Sequence, residues 1–372
     1  MAFLKTANGW PYLLTPFIPL AVVVDIAGAS AGIVFVVAAI GIIPTAALMG
    51  LATEELAAKS GPGIGGLLNV TFGNAPELII ALFALNEGLQ EVVKASIIGS
   101  ILGNILLVMG GSMLVGGIGR ERQFFNSTAA NAQSSMLLLA AAAMAMPAIY
   151  QLVDGGGLPG VGIEDVNFGS TVEHLSLVVA LVLAGTYAFG LLFSLKTHRD
   201  LFNPVNEDGE AGDPDHEGFG WSVRRSVGML AIAGVAVGVM SEILVGSISE
   251  ASQSVGLSEF FIGVIVVAIV GNAAEHWVAV LVARKNKMDL AVNIAIGSSA
   301  QVALFVAPVL VVASFIIGEH PMPLVFNGFE LGGVFLAVLI AQYVSHEGES
   351  TWFEGVQLLA VYLVLGITFF YA

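Results

Sequence analysis

The stretches VTFGNAPELII, residues 70–80, and AIVGNAAEHWV, residues 268–278, each set one glutamate, Glu77 or Glu275, inside sequence otherwise suited to lipid. The two acids lie 198 positions apart. The same offset superposes Gly73 on Gly271, Asn74 on Asn272 and Ala75 on Ala273 and, further along, Gly99-Ser100 on Gly297-Ser298. Spacing kept over 28 residues marks an internal duplication. Upstream the match is looser: ATEELA, with Glu54 and Glu55, pairs with SEILVG, with Glu242, only after an insertion of about ten residues.

The rest of the chain is built for a bilayer. Of 372 residues, 57% are hydrophobic and 11% charged, with a mean hydropathy of +0.91, whereas soluble domains carry about 25% charged residues. That excludes a soluble fold and points to a polytopic membrane protein. A hydrocarbon core about 30 Å thick takes about 20 helical residues. Apolar runs of that order fall near 12–28, 32–57, 64–86, 92–117, 128–150, 172–195, 222–249, 258–282, 289–317, 324–345 and 352–371. The expected fold is all-α with eleven transmembrane helices; the short alternating strands of a membrane barrel are missing. Forty-five glycines suit close helix packing. With no cysteine in the chain, disulfides and thiolate metal sites are excluded. Lys5, the apolar run after it and Ala27-Gly28-Ala29 resemble a cleavable leader, but Asp25 and the second long apolar run favour a retained first helix.

Basic residues test this count. With eleven spans, Lys5, Lys59, Arg120, Arg122, Lys196, Arg199, Arg224, Arg225, Arg284, Lys285 and Lys287 share one side and only Lys94 falls on the other. The positive-inside rule makes the crowded side cytoplasmic, with the N-terminus inside and the C-terminus outside. Residues 203–218, NPVNEDGEAGDPDHEG, carry six carboxylates and read as a solvated cytoplasmic linker; their spacing is not that of an EF-hand loop. The net charge of −16 could suggest a basic partner, but much of the acid falls in such loops and reads as solvated surface; no nucleic-acid partner is expected. The plan is then an extra N-terminal helix (1–30), a first repeat (31–199), an acidic linker (200–221) and a second repeat (222–372). Each repeat holds five helices, the second to sixth and the seventh to eleventh. Five is odd, so the halves are inverted, the sequence mark of secondary transporters with a site near the bilayer midplane.

Within each motif the asparagine and glutamate are three residues apart and share a helical face. Gly73 and Pro76 weaken helical hydrogen bonding around Asn74; the second copy lacks the proline, so a break there would rest on Gly271 and packing. No Lys or Arg lies mid-span to pair with Glu77 or Glu275. Two carboxylates, the amide oxygens of Asn74 and Asn272 and freed carbonyls form an all-oxygen shell, suited to Ca²⁺ with its six to eight oxygen ligands. Zinc or copper would call for His or Cys clusters. Ser298 and Gln301 extend the ligand set; Gly73, Gly271, Ser100 and Asn104 line it. Gly103 stands opposite Gln301, which leaves the symmetry incomplete. Glu54 and Glu242 are candidates for proton relay or access, as is His276, whose mate is Leu78 and which points about 100° away from Glu275. When the cation leaves, desolvation and mutual repulsion both favour protonated carboxyls. A bare charge at mid-bilayer costs at least about 2.5–3.5 kcal/mol.

The motifs GNAPELI and GNAAEH, with GSILGNILLVMG, GSSAQVALFVAP, FSLKTHRDLF and the acidic stretch, make residues 50–365 resemble the Ca²⁺/H⁺ exchanger (CAX) family of the calcium/cation antiporter superfamily. The resemblance implies an eleven-helix antiporter in which Glu77 and Glu275 bind the cation, helped by the Asn and Gln positions, with two further acids matching Glu54 and Glu242. Sodium/calcium exchangers share the plan but usually carry serine-rich motifs where this chain has Asn, which favours protons over sodium. The expectation is a multi-pass antiporter of a prokaryotic cell membrane, moving Ca²⁺ out of the cytoplasm against H⁺. Its partners are Ca²⁺, H⁺ and the lipid bilayer; it has no cofactor besides the transported Ca²⁺ and no catalytic residue. GNAAEHWVAV is not H-E-x-x-H. The alternatives are Na⁺/Ca²⁺ exchange on the same scaffold and a divalent-cation channel.

Overall fold

The computed structural model describes residues 9–161, 170–197, 220–318 and 320–372. Its apolar helices, in chain order, are α1 (Trp10–Ile26), α2 (Ala31–Ser60), α3 (Leu67–Gly73 and Ala75–Asn86), α4 (Gln90–Gly117), α5 (Ser127–Val153) and α6 (Thr171–Thr197). They continue with α7 (Val223–Val255), α8 (Glu259–Arg284), α9 (Met288–Ser314), α10 (Gly328–Glu347) and α11 (Trp352–Tyr371). Among the described residues nine of these are long and apolar enough to cross a membrane, and the bent pair of α3 makes a tenth. α1 is a shorter apolar helix, opening with a 3₁₀ turn at Trp10–Leu14. The linker at 203–218 lies outside the described residues.

Helix ends follow local chemistry. Asn126, Ser222 and Ser258 accept from the backbone N–H three residues on, capping α5, α7 and α8. Asn327 with Glu330 and Thr351 with Glu354 form reciprocal capping boxes on α10 and α11. Gly256 and Gly348 end α7 and α10 in the left-handed region, with φ of 69° and 70°.

Loop contacts sort the helix ends into two faces. On one face Gln123 Nε2 donates to the Ala283 carbonyl and to Asn286 Oδ1, Arg122 pairs with Glu349 at 2.7 Å, and a two-residue ribbon joins β1 (Gln123–Phe124) to β2 (Glu349–Ser350). This ribbon is the one departure from an all-helical chain among the described residues. On the other face Gln90 reaches the His320 carbonyl and Lys94 Nζ the Val325 carbonyl. The first face carries Arg120, Arg122, Arg284, Lys285 and Lys287. Lys94, the exception on the second face, lies beside buried Glu91 and Glu330 rather than in open solvent.

α4 and α9 occupy the centre: 89% and 72% of their apolar windows are buried, against 17% for α6 and α11. The central helices are repeat mates, and both depart from α geometry at matching positions, with π-helical segments at Gly103–Val108 and Val302–Val306. Such bulges concentrate at functional sites; nothing in the hydropathy pattern predicts them.

Two local expectations are revised. α2 and α3 are not separated by a loop: helical structure runs on from Ala31 to Gly73. The chain nevertheless doubles back, because a Cβ on Gly65 would lie 2.5 Å from the Ala57 carbonyl oxygen, whereas eight residues of straight helix span about 12 Å. The two motifs also break differently. Asn74 leaves helical geometry (φ −96°, ψ 17°), Pro76 enters the next helix at its start, and the axis bends by 42°. Asn272 sits inside the unbroken helix Ala268–Arg284. With Ala274 in place of proline no backbone donor is lost there, and the irregularity moves upstream, to the π segment Ile262–Val267.

Candidate cation-binding site

The two motif helices cross so that each glycine faces the other motif's acid. A Cβ on Gly73 would lie 3.5 Å from Glu275 Oε1, and a Cβ on Gly271 would lie 3.1 Å from Glu77 Cγ and 3.8 Å from its carboxyl carbon. The absence of side chains at these positions brings both carboxyls to one crossing, close enough for the two charges to act on each other. Both glutamates are partly exposed, whereas Asn74 and Asn272 are each 1% exposed.

The amides are oriented by their nitrogens. Asn74 Nδ2 donates to Gln301 Oε1 at 2.6 Å; Asn272 Nδ2 donates to Ser100 Oγ at 3.1 Å and to the Ala268 carbonyl at 2.9 Å. Each motif is thereby tied to the opposite repeat beside its π segment. What remains is oxygen: Asn74 Oδ1, Asn272 Oδ1 and Glu77 Oε2 are buried without a partner. Each unmet buried acceptor costs about 1–3 kcal/mol. Two amide oxygens beside a carboxyl pair are a donor set of the kind that could hold a hard cation.

The repeats are not equivalent here. Ser298 Oγ donates to Glu275 Oε2 at 2.9 Å, while its mate Ser100 is engaged by Asn272. His276 Nε2 lies 3.1 Å from Asn104 Oδ1, not against a carboxylate. That contact gives Asn104 a role that its mate, Val302, does not have. Glu54 is exposed on α2 and its charge reaches both Glu275 and Tyr12. Glu242 is exposed on α7, and no described contact joins it to Glu77. Of the expected residues, Asn74 with Gln301, Asn272 with Ser100 and Glu275 with Ser298 form three hydrogen-bonded pairs about the crossing at which Glu77 and Glu275 meet. Asn104 and His276 form a further contact alongside, Glu54 approaches the crossing, and Glu242 stands apart.

Two neighbours escape a reading based on the duplication. Trp10 packs edge-on against Trp277, with ring centroids 5.3 Å apart, two residues beyond Glu275. Gln133 on α5 donates to Asn293 Oδ1 and flanks Gly297, whose Cβ position is 3.6 Å from Gln133 Nε2. The signal for the second pair was a polar residue on each of two apolar helices; the repeat offset ignores it because Asn293 has Ala95 as its mate.

Comparison with known proteins follows the same outline. The family described as sodium/calcium exchanger protein matches residues 30–196 and 225–371. A Ca²⁺/H⁺ antiporter of Aphanothece halophytica is 46% identical over 346 residues, covering 91% of this chain and 90% of the relative. The Ca²⁺/H⁺ antiporter ChaA of Bacillus subtilis is 43% identical over 359 residues, covering 96% and 97%. Among solved structures, native YfkE superposes with a TM-score of 0.80 at 39% identity, covering 97% of this chain and all of that one.

Proposed function

Because the chain belongs to the sodium/calcium exchanger family, in its Ca²⁺/H⁺ exchanger (CAX) branch, we propose that it exports cytoplasmic Ca²⁺ in exchange for H⁺ by alternating access, with Glu77 and Glu275 carrying the two ions in turn. The observation that carries the residue assignment is the reciprocal crossing, in which Gly73 faces Glu275 and Gly271 faces Glu77. Two acids at one crossing support a reading in which one divalent ion neutralises both.

The chemistry follows from that pairing. With Ca²⁺ bound, the carboxylates and the free oxygens of Asn74 and Asn272 replace part of its hydration shell, and water completes six to eight ligands. Gln301, Ser100 and Ser298 hold the ligands in place. Once the ion has left, two negative charges face each other in a poorly solvated site, and protons restore neutrality. An empty, ionised site is too costly to cross the membrane. Coupling therefore requires no proton carrier beyond the pair. Glu54 serves the cytoplasmic approach, where its charge meets Glu275.

The remaining assignments rest on the same frame. α1 is an eleventh, short span; the N-terminus is cytoplasmic, the C-terminus outside, and the membrane is a prokaryotic plasma membrane. The division into 1–30, 31–199, 200–221 and 222–372 follows the duplication.

The decisive measurement is ⁴⁵Ca uptake by proteoliposomes under an imposed pH step, with Glu77→Gln and Glu275→Gln beside the parent. Each variant is expected to keep its size-exclusion profile and to lose proton-driven uptake by at least tenfold, the effect of about 1.4 kcal/mol. Retention of full uptake by both overturns the residue assignment. Uptake driven by a sodium gradient at fixed pH, and indifferent to protons, overturns the coupling ion.

A further inference from the structure

The two repeats pack their mated segments unequally. In the outer half of the membrane α8 is pressed onto α4. A Cβ on Gly99 would lie 2.1 Å from the Val264 carbonyl oxygen and 2.8 Å from Ala268 Cβ, and one on Gly263 would lie 2.9 Å from Ala95 Cβ and from the Val92 carbonyl oxygen. The mates of these positions by the 198-residue offset are Gly297 on α9, with Gly65, Gly66 and Val70 at the start of α3. No matching seal is seen there among the described residues. The nearest atoms around the Gly297 Cβ position all belong to the amide ends of Asn293 and Gln133, at 3.4–3.7 Å. Gly65 is folded against Ala57 instead. Ile64 is 63% exposed, while its mate Ile262 is 1% exposed.

Both Gln133 and Asn293 lie near the cytoplasmic ends of their helices, six and five residues after Ser127 and Met288, where α5 and α9 begin. Gln133 Nε2 donates to Asn293 Oδ1 across the face that the start of α3 would need. A glycine whose nearest neighbours among the described residues are side-chain amides, while its repeat mate lies against a backbone carbonyl, offers a surface for a contact made in another state.

We infer that Gln133 and Asn293 form a cytoplasmic latch: their side chains occupy the Gly297 surface while the site faces inward, and their release lets residues 64–70 pack there as residues 262–268 now pack on Gly99. This deepens the alternating-access reading and rests on it. The latch sets how long the cytoplasmic side stays open, and so the apparent affinity for cytoplasmic Ca²⁺. When only a fraction of molecules is binding-competent, the apparent dissociation constant rises by the inverse of that fraction. Gln133 acts through Gly297 and is a positioning residue, with no contact to the cation.

The chain has no cysteine, so Ile64→Cys supplies a single reporter at the moving segment. In inside-out vesicles its labelling rate with a membrane-impermeant maleimide reads the inward-open fraction. Gln133→Ala is expected to slow labelling about threefold or more, and to raise the Ca²⁺ concentration for half-maximal uptake by a similar factor. Asn293→Ala breaks the same contact from the other side and is expected to do the same; it stands in if the first variant does not fold. Gln133→Leu, which keeps the bulk and removes the donor, is expected to fall between. Labelling that is unchanged or faster in the alanine variants overturns the latch. A parent that shows no proton-driven uptake overturns the antiport reading instead, and the labelling comparison still reports on the latch by itself.

Discussion

At the site each glycine fixes the position of the other motif's acid, and the two do so with unequal tolerance. Gly271 leaves 3.1 Å between a notional Cβ and Glu77 Cγ, and Gly73 leaves 3.5 Å to Glu275 Oε1. The first gap is tighter than ordinary contact and involves the stem of a carboxylate; the second is ordinary van der Waals distance to a mobile tip. Gly271→Ala therefore forces Glu77 away from its preferred rotamer, at about 0.5–1.5 kcal/mol, and is expected to weaken Ca²⁺ affinity several-fold. Gly73→Ala is expected to stay close to the parent. Half-maximal Ca²⁺ concentrations for uptake, measured side by side, check the order; equal effects would remove the steric account. Both acids and both asparagines stand out in the sequence because carboxyl and amide groups inside apolar helix are costly unless they find partners. Which serine would hold which acid was not legible. Ser100 and Ser298 are mates by spacing, yet one serves Asn272 and the other Glu275. A repeat offset is blind to that difference.

Among the helices, the Gly99–Val264 and Gly297–Gln133 surfaces give opposite expectations for the same substitution. At Gly99 a methyl group meets a backbone carbonyl at 2.1 Å and a second methyl at 2.8 Å, on a helix buried in the centre of the protein. Neither neighbour is the end of a flexible side chain. Overpacking of this kind costs about 1–3 kcal/mol, so Gly99→Ala is expected to lower the thermal midpoint in detergent. At Gly297 the neighbours are amide ends at 3.4–3.7 Å that can turn aside, and Gly297→Ala is expected to change stability by about 0.5 kcal/mol or less. It should nevertheless slow exchange, because the methyl group stands where the start of α3 closes. A thermal-shift measurement on both variants, with ⁴⁵Ca exchange on the second, separates the two roles. Hydropathy located α4 and α9 as spans but could not reveal their π segments or the fold-back at Gly65. An extra residue in a helical turn changes no composition, and Gly61-Pro62-Gly63 reads as a loop although the chain stays helical through it.

For the whole molecule, the count of crossings and the sidedness of the ends are one question. The loops at 118–126, 284–288 and 348–351 meet on one face, and the segments near residue 90 and at 320–325 on the other. The relative parity of α4, α9 and α10 is therefore set by contacts rather than by charge counting. The Arg122–Glu349 pair adds little to that grouping: both partners reach solvent, and such pairs contribute about 0–1 kcal/mol. The weight is carried by Gln123, 1% exposed, and its bonds to the α8–α9 turn. What depends on α1 is the N-terminal end. Its Trp10–Ile26 stretch, at about 1.5 Å per residue, is some 25 Å long, just under the hydrocarbon thickness of about 30 Å. Packing against α2 and α7 and the Trp10–Trp277 contact on the α8 helix tie it to the transport unit. If α1 crosses, eleven spans put the two ends on opposite sides; if it lies along the interface, ten put them on the same side. Single cysteines introduced by Lys5→Cys and Ala372→Cys, in an otherwise cysteine-free chain, read this out directly. An impermeant maleimide added to intact cells is expected to label position 372 and spare position 5 until the membrane is opened. Labelling of both from outside, or of neither, would make α1 an interfacial helix. Lys5 would then join Lys94 on the outer side, leaving the other ten basic residues together on the inner one.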